Sequence, residues 1–330
     1  MAPRQARPSY ADNPMRSPVL FLIFNRPAPT HRVFAAIRAA RPPRLYIAAD
    51  GARANRPGEQ QLCEMTRQVA SNVDWPCAVN TLFRDKNLGC KHAVSGAIDW
   101  FFGHEPEGVI LEDDCLPNPT FFPFCDELLE KYRLDERIAM ISGDNFQFGQ
   151  RFGPSSYYFT RYCHIWGWAS WRRSWLHYQR DADCWPHFRS TGGLRRLRDM
   201  RLPEIRHWSK VFADIHAGRI DTWDYQVNLM AWSQGMVSIA PQTNLVENIG
   251  FGTDATHTIK NTALANLPAM PMVFPLQHPI SPEICVPADQ HTSDLFFCPS
   301  PLSEMVGNIR SVGKRLIAAL SSRKMRARPT

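Results

Sequence analysis

Several absences narrow the possibilities before any motif is considered. No stretch approaches the roughly 18 uninterrupted apolar residues of a membrane helix. Met1 to Ser17, broken by Arg4, Arg7 and Arg16, has no hydrophobic signal core, so a cytoplasmic location is expected. The nine cysteines are odd in number and show no CxxC or CxxH spacing, which argues against both a disulfide framework and a zinc site. No glycine lies between Phe24 and Thr30, so a glycine-rich phosphate loop is missing there. No internal repeat is visible. Acidic residues are scarce only at the end: residues 301–330 hold seven basic side chains against the single acid Glu304, leaving 31 basic and 30 acidic in the rest. The net charge of +7 is therefore a property of the tail, and a basic nucleic-acid-binding core is excluded.

The 330 residues, 44% of them hydrophobic, suffice for one large or two moderate domains. Apolar runs at Val19 to Phe24, Arg44 to Ala49, Val79 to Phe83 and Gly108 to Leu111 alternate with predicted helices at His31 to Ala40, Glu59 to Ser71 and Lys91 to Phe102. Thr30 is the expected N-cap of the first helix. This alternation predicts an α/β fold, with a mostly parallel sheet and helices on both faces. A helix at Thr120 to Tyr132 and a fifth strand at Ile138 to Ser142 extend it. Trp166, Trp168, Trp171 and Trp175 follow around Gly167, either filling a core or lining a sugar-binding wall. Helices are expected from Pro203 to Ala217 and, opened by the stretch Arg219 to Gln226, as far as about Gln234, the latter capped by Thr222 with Asp224 in its first turn. A short strand at Val237 to Ala240 precedes a Gly- and Thr-rich loop, Asn244 to His257. Beyond Pro268 the chain reads as proline-rich and irregular up to Pro301, and Met305 to Leu320 as a basic helix, either solvated or lying on an anionic membrane.

The strand Val109-Ile110-Leu111 ends in Glu112-Asp113-Asp114 and is stopped by Pro117. Three adjacent carboxylates repel unless a cation sits among them. A hard divalent ion bridging to phosphate is one answer, and a solvated acidic turn is the other. The carboxyl end of an apolar strand in an open α/β sheet is where ligands bind, which favours the first.

The ordered set Asn25-Arg26-Pro27, Ala49-Asp50-Gly51, Asn87-Leu88-Gly89-Cys90-Lys91-His92 and Glu112-Asp113-Asp114 resembles the GT-A (Rossmann-like) fold of nucleotide-sugar glycosyltransferases. The likeness is to the N-acetylglucosaminyltransferase I type and to bacterial glycosyltransferase family 2-like, or haemolytic-protein-like, proteins. It continues through Ser142-Gly143-Asp144-Asn145, Ile165-Trp166-Gly167-Trp168, Trp223-Asp224 and Gly250-Phe251-Gly252. It implies a flexible arm (1–17), a glycosyltransferase domain (18–262) with nucleotide-sugar (18–145) and acceptor (146–262) halves, a Pro-rich wrapping segment (263–301) and a basic tail (302–330).

The resemblance further implies that Asp50 accepts a hydrogen bond from the base, that Arg26 and His92 border the nucleotide, and that Asp113 contacts the ribose. Glu112 would face the donor sugar, Asp114 would bind Mn²⁺ or Mg²⁺, and Asp224 would deprotonate the acceptor hydroxyl. Trp168 and Gly252 would border the nucleotide sugar. The expected partners are a nucleotide-diphosphate sugar, such as a UDP-sugar, and a glycan or lipid-linked acceptor, with peripheral membrane contact through the tail and no nucleic acid. Plainer readings stand beside these: Arg26 caps a helix, Asp50 turns the chain with Gly51, His92 lies on a polar face, and His257 is an exposed loop residue. The rival functions are a membrane-active haemolysin-like protein and a nucleotidyltransferase.

Overall fold

A computed structural model describes residues 15–251, 264 and 267–298. Gly252, His257, most of the N-terminal arm and the basic tail lie outside the described residues.

The elements run β1 (Val19–Ile23), α1 (Pro27–Ala40), β2 (Arg44–Ala49), α2 (Glu59–Ser71), β3 (Ala78–Phe83), α3 (Gly89–His104), β4 (Glu107–Glu112), β5 (Cys115–Pro117), α4 (Phe121–Lys131) and β6 (Ile138–Ser142). Then come β7 (Tyr157–Thr160), β8 (Trp168–Trp171), α5 (Arg172–Trp175), α6 (Trp185–Ser190), α7 (Gly193–Arg196), α8 (Leu202–His216), α9 (Tyr225–Ser233), β9 (Val237–Pro241), β10 (Val246–Asn248) and α10 (Val286–Phe296).

The main sheet has eight strands in the order β3-β2-β1-β4-β8-β6-β9-β7. β1 to β4 are mutually parallel, and β6 and β9 run with them, while β8 and β7 run against their neighbours. The two expected halves, 18–145 and 146–262, share this one sheet, since β8 from the second lies between β4 and β6 from the first.

Strands covered on both sides must be apolar on both sides, and β1 is buried at all five positions. Alternation then divides each strand between two cores. Val19, Phe21, Val109 and Leu111 pack with Val33, Phe34, Phe121 and Leu128 on the face of α1, α2 and α4. Leu20, Leu22 and Ile110 pack with Ile98, Phe101, Trp208, Phe212 and Val227 on the face of α3, α8 and α9. The sandwich of helices around a mostly parallel sheet is the expected α/β class. No helix among the described residues is long and apolar enough to cross a membrane.

Some local expectations change. α1 begins at Pro27 rather than His31, because proline fits the first helical turn and Thr30 Oγ1 donates to Arg26 O at 2.6 Å from within the helix. Asp224, not Thr222, is the N-cap of α9, accepting from Tyr225 N. The segment expected to be irregular contains α10, which covers the β7 edge of the sheet. There Asp289 accepts from Arg161 N at 3.1 Å and Nε at 2.9 Å, and Gln147 Nε2 donates to Thr292 Oγ1 at 2.9 Å.

Candidate active site

Because β1 to β4, β6 and β9 point the same way, their carboxyl ends meet along one edge of the sheet, where open α/β sheets bind ligands. Asn25-Arg26 follow β1, Asp50 follows β2, Asn87 lies beyond β3, and Glu112-Asp113-Asp114 close β4. β8 runs the other way, so its start, with Trp166 and Gly167 just before it, reaches the same edge.

A cation does sit among the three carboxylates, and it is Arg26. Its Nη2 donates to Asp113 Oδ1 and, at 2.9 Å, to Asp114 Oδ2. Phe24 N donates to Asp113 Oδ2 at 3.2 Å, so Asp113 is turned inward and both of its oxygens already have protein donors. The Arg26 backbone is set by its neighbours: Asn25 Nδ2 donates to the buried Glu59 at 3.0 Å, and Pro27 starts α1. The loop after the triplet is folded back by the β5–β10 pair, in which Cys115 faces Asn248. Ile249 N donates to Asp114 O at 2.8 Å. The next residue packs so closely that a Cβ on Gly250 would collide with Asp114 Oδ2, which explains why glycine stands there.

Glu112 differs from its neighbours in that no described residue donates a hydrogen bond to its carboxylate. Burial, then Asp114 and Asp113, push this carboxyl above the ordinary range; Arg26 opposes the push and Asp224 adds to it. Asp113 is pushed up by burial, against the pull of Arg26. Asp224 is therefore within electrostatic reach of the triplet, although 110 residues away in sequence. The Cys90 thiol at the start of α3 feels several of the same carboxylates. Burial, then Glu112, Asp224, Asp221 and Asp50, raise it to about 12.

Asp224 is held by one oxygen only. Thr222 Oγ1 and, at 2.9 Å, Tyr225 N both donate to Oδ1, and among the described residues nothing donates to Oδ2. Its neighbour Trp223 is buried and stacked on Trp168 with ring centres 6.2 Å apart, and Tyr178 Oη donates to Trp223 O at 2.9 Å. Trp168 is only 1% exposed and cannot present a face to a sugar. This corrects the sequence expectation: Trp168 is core, and it supports the segment that carries Asp224. The half-buried tryptophan at this edge is Trp166, set 5.1 Å from Phe146 and 5.6 Å from Phe251.

Asp50 is also committed within the protein. Its carboxylate accepts from Asn87 Nδ2 at 2.9 Å, Leu88 N at 3.0 Å and Gly89 N at 3.1 Å, and so caps α3 from a neighbouring strand. His92 is exposed on α3, where, after Lys91, it helps to hold the Asp181 carboxyl below its usual range. Sequence reasoning gave no individual task to Asp144. One of its oxygens accepts from Trp166 N at 2.9 Å, and the other is buried without a partner among the described residues. Glu59, which positions Arg26, carries no signal in sequence that would single it out, while Thr222 and Gly250, legible as a cap and as part of a motif, gave no hint that they position Asp224 and Asp114.

Among the described residues no group of three or more His, Cys, Asp or Glu is arranged to hold a metal ion. The donor set still suits a hard divalent ion that takes one carboxylate and completes its shell with phosphate oxygens and water. Asp114, now bonded to Arg26, would supply that carboxylate.

No protein-family model matches the chain, and no curated protein matches it. Among solved structures it is similar to HddC from Yersinia pseudotuberculosis, at 10% identity and a TM-score of 0.30 over 49% of this chain and 80% of that one. It is also similar to UDP-glucose pyrophosphorylase complexed with UDP-glucose, at 11% identity and a TM-score of 0.35 over 69% and 90%. At such identities and scores the function has to be argued from the site itself.

Proposed function

We propose that the chain is a metal-assisted inverting glycosyltransferase of the GT-A kind. It would move a sugar from a nucleotide-diphosphate sugar, taken to be a UDP-sugar, to a hydroxyl of a glycan or lipid-linked acceptor. The observation that carries this reading is the convergence of the β4 carboxylates and Arg26 with Asp224, whose Oδ2 has no donor among the described residues, at one edge of the sheet.

In this reading Mn²⁺ or Mg²⁺ bound through Asp114 supplies Lewis-acid neutralisation of the diphosphate leaving group. Arg26 adds a fixed positive charge beside the same phosphates. Glu112, without a donor among the described residues, accepts a hydroxyl of the donor sugar. The acceptor oxygen attacks the anomeric carbon, the bond to the diphosphate breaks with its electron pair leaving on the nucleoside diphosphate, and the acceptor proton passes to Asp224 Oδ2. Thr222 and Tyr225 N fix the other Asp224 oxygen, so the base is oriented before substrate arrives. Trp166 is exposed enough to stack on an acceptor ring. A nucleotidyltransferase is less well supported, because Phe24 to Thr30 offers no glycine-rich phosphate loop.

The test is release of nucleoside diphosphate from a panel of UDP-, GDP- and dTDP-sugars with Mn²⁺. Chelation or Asp114→Ala is expected to abolish turnover, and Asp224→Asn to lower it by about 10²- to 10⁴-fold. Turnover indifferent to both chelator and Asp224→Asn would overturn the proposal. Formation of nucleotide sugar from nucleoside triphosphate and sugar phosphate would favour the nucleotidyltransferase.

A further inference from the structure

One nitrogen of Arg26 serves two carboxylates of unequal depth. The side chain of Asp113 is 4% exposed and that of Asp114 16%, with Arg26 itself at 20%. Arg26 therefore has an inner anchor and an outer, more accessible bond. The outer bond falls on Asp114 Oδ2, the oxygen that Gly250 also closes over, while Asp114 Oδ1 faces the Cys115 thiol at 3.5 Å. A guanidinium keeps its charge at any ordinary pH. The ligand-free chain thus carries its own cation on the carboxylate that would bind the metal.

A divalent ion at Asp114 must either displace that bond or lie on the same carboxylate as a fixed positive charge, and either costs affinity. The cost falls if Arg26 is offered another anion. A diphosphate suits this role, because the guanidinium fork matches phosphate oxygens in pairs. The backbone around Arg26 need not move: Asn25 is bonded to Glu59, Thr30 Oγ1 holds Arg26 O, and Pro27 opens α1. Only the outer bond must break, with Asp113 as pivot.

We infer that Arg26 is a latch on Asp114, a resident cation that keeps free divalent ions off the site and yields when a nucleoside diphosphate draws its guanidinium away. Metal and diphosphate would then load together, each raising the affinity of the other. The inference rests on the assignment of Asp114 as metal carboxylate made above, and it makes Arg26 a positioning residue for metal loading.

The experiment measures Mn²⁺ binding to the full chain by the loss of the free-ion electron paramagnetic resonance signal, with and without UDP. The wild type is expected to bind Mn²⁺ weakly alone, and UDP to tighten binding by about 5- to 150-fold, the usual range of coupling between two sites. Arg26→Gln should bind Mn²⁺ without UDP tighter than the wild type by a similar factor, with little further gain from UDP. Arg26→Gln leaves Asp113 buried without its cation, so the double variant Arg26→Gln/Asp113→Asn is the safeguard against misfolding, checked by circular dichroism. Asp113→Asn alone keeps Arg26 on Asp114 and serves as its reference. If the wild type without UDP binds Mn²⁺ as tightly as Arg26→Gln, and Asp113→Asn as tightly as the double variant, the latch is refuted. If no variant binds Mn²⁺ with or without UDP, the metal assignment of Asp114 fails, and the latch with it.

Discussion

Asp144→Asn should stabilise the protein at alkaline pH and leave it nearly unchanged in acid. Asp144 sits at the carboxyl end of β6 with 0% exposure; one oxygen accepts from Trp166 N at 2.9 Å and the other has no partner among the described residues. Burial raises its carboxyl well above the ordinary 3.8, against the opposing Trp166 bond. For an acid raised in the folded state, the stabilising share is complete below the unfolded value and is lost as pH climbs through the folded value. Each pH unit over which the folded chain stays protonated while the unfolded chain is ionised costs about 1.4 kcal/mol. Asparagine is isosteric and never charged: its oxygen keeps the Trp166 bond, and its amide takes the unpartnered place. That place has no partner among the described residues for either group, so the gain comes from the linkage alone, about 1.4 kcal/mol for each pH unit between the unfolded and the folded value. A denaturation midpoint a few degrees higher at pH 8 should shrink to nothing near pH 4. The readout is the difference between variant and wild type at each pH, because Glu112, Asp113 and Asp289 are also raised, burial being the first cause in each, and bend the wild-type curve themselves. A shift that is the same at both pH values, or a loss of stability at pH 8, would refute the reasoning.

Two further substitutions separate a role in holding the fold from a role in binding ligand. Asp50→Ala removes the acceptor for Asn87, Leu88 and Gly89 at the start of α3, so the ligand-free protein should lose about 1–3 kcal/mol in urea unfolding. If Asp50 served only a nucleotide base, ligand-free stability would not change. Trp168→Ala should cost about 3–5 kcal/mol by leaving a cavity beside Trp223 and Trp175. Trp166→Ala, at a half-buried ring, should cost much less and show itself mainly as a higher KM for acceptor.

The strands that sequence reasoning located are those whose evidence is local. β1, β2 and β4 are apolar on both faces and end at charged or turn-forming residues, so their pattern does not depend on what they pair with. β7 and β8 were hidden because they exist through distant pairing. Trp168 is opposite Ile110 of β4 and Ser142 of β6, and nothing in the four residues of β8, two of them aromatic, announces that register. The same gap misplaced Trp168. Neighbours two apart along an extended chain differ in burial only once the strand and its edge are known, and here β8 starts at Trp168, leaving Trp166 outside it. Asp50 shows the limit for a single side chain: Asp-Gly at a strand end is legible as a turn, but where the carboxylate points depends on amides 37 to 39 residues further on.

The acidic triplet carries this argument furthest. Repulsion among Glu112, Asp113 and Asp114 demands a cation, and that demand can be read from three letters of sequence. Which cation answers it depends on strand order. Because β1 lies beside β4, with Leu22 opposite Glu112, the residues just beyond each strand are neighbours, and Arg26 reaches across 87 positions of chain to Asp113. A metal ion and this arginine are therefore alternative answers to one electrostatic problem. A diphosphate, which attracts both, is the ligand that would let the site hold the two together.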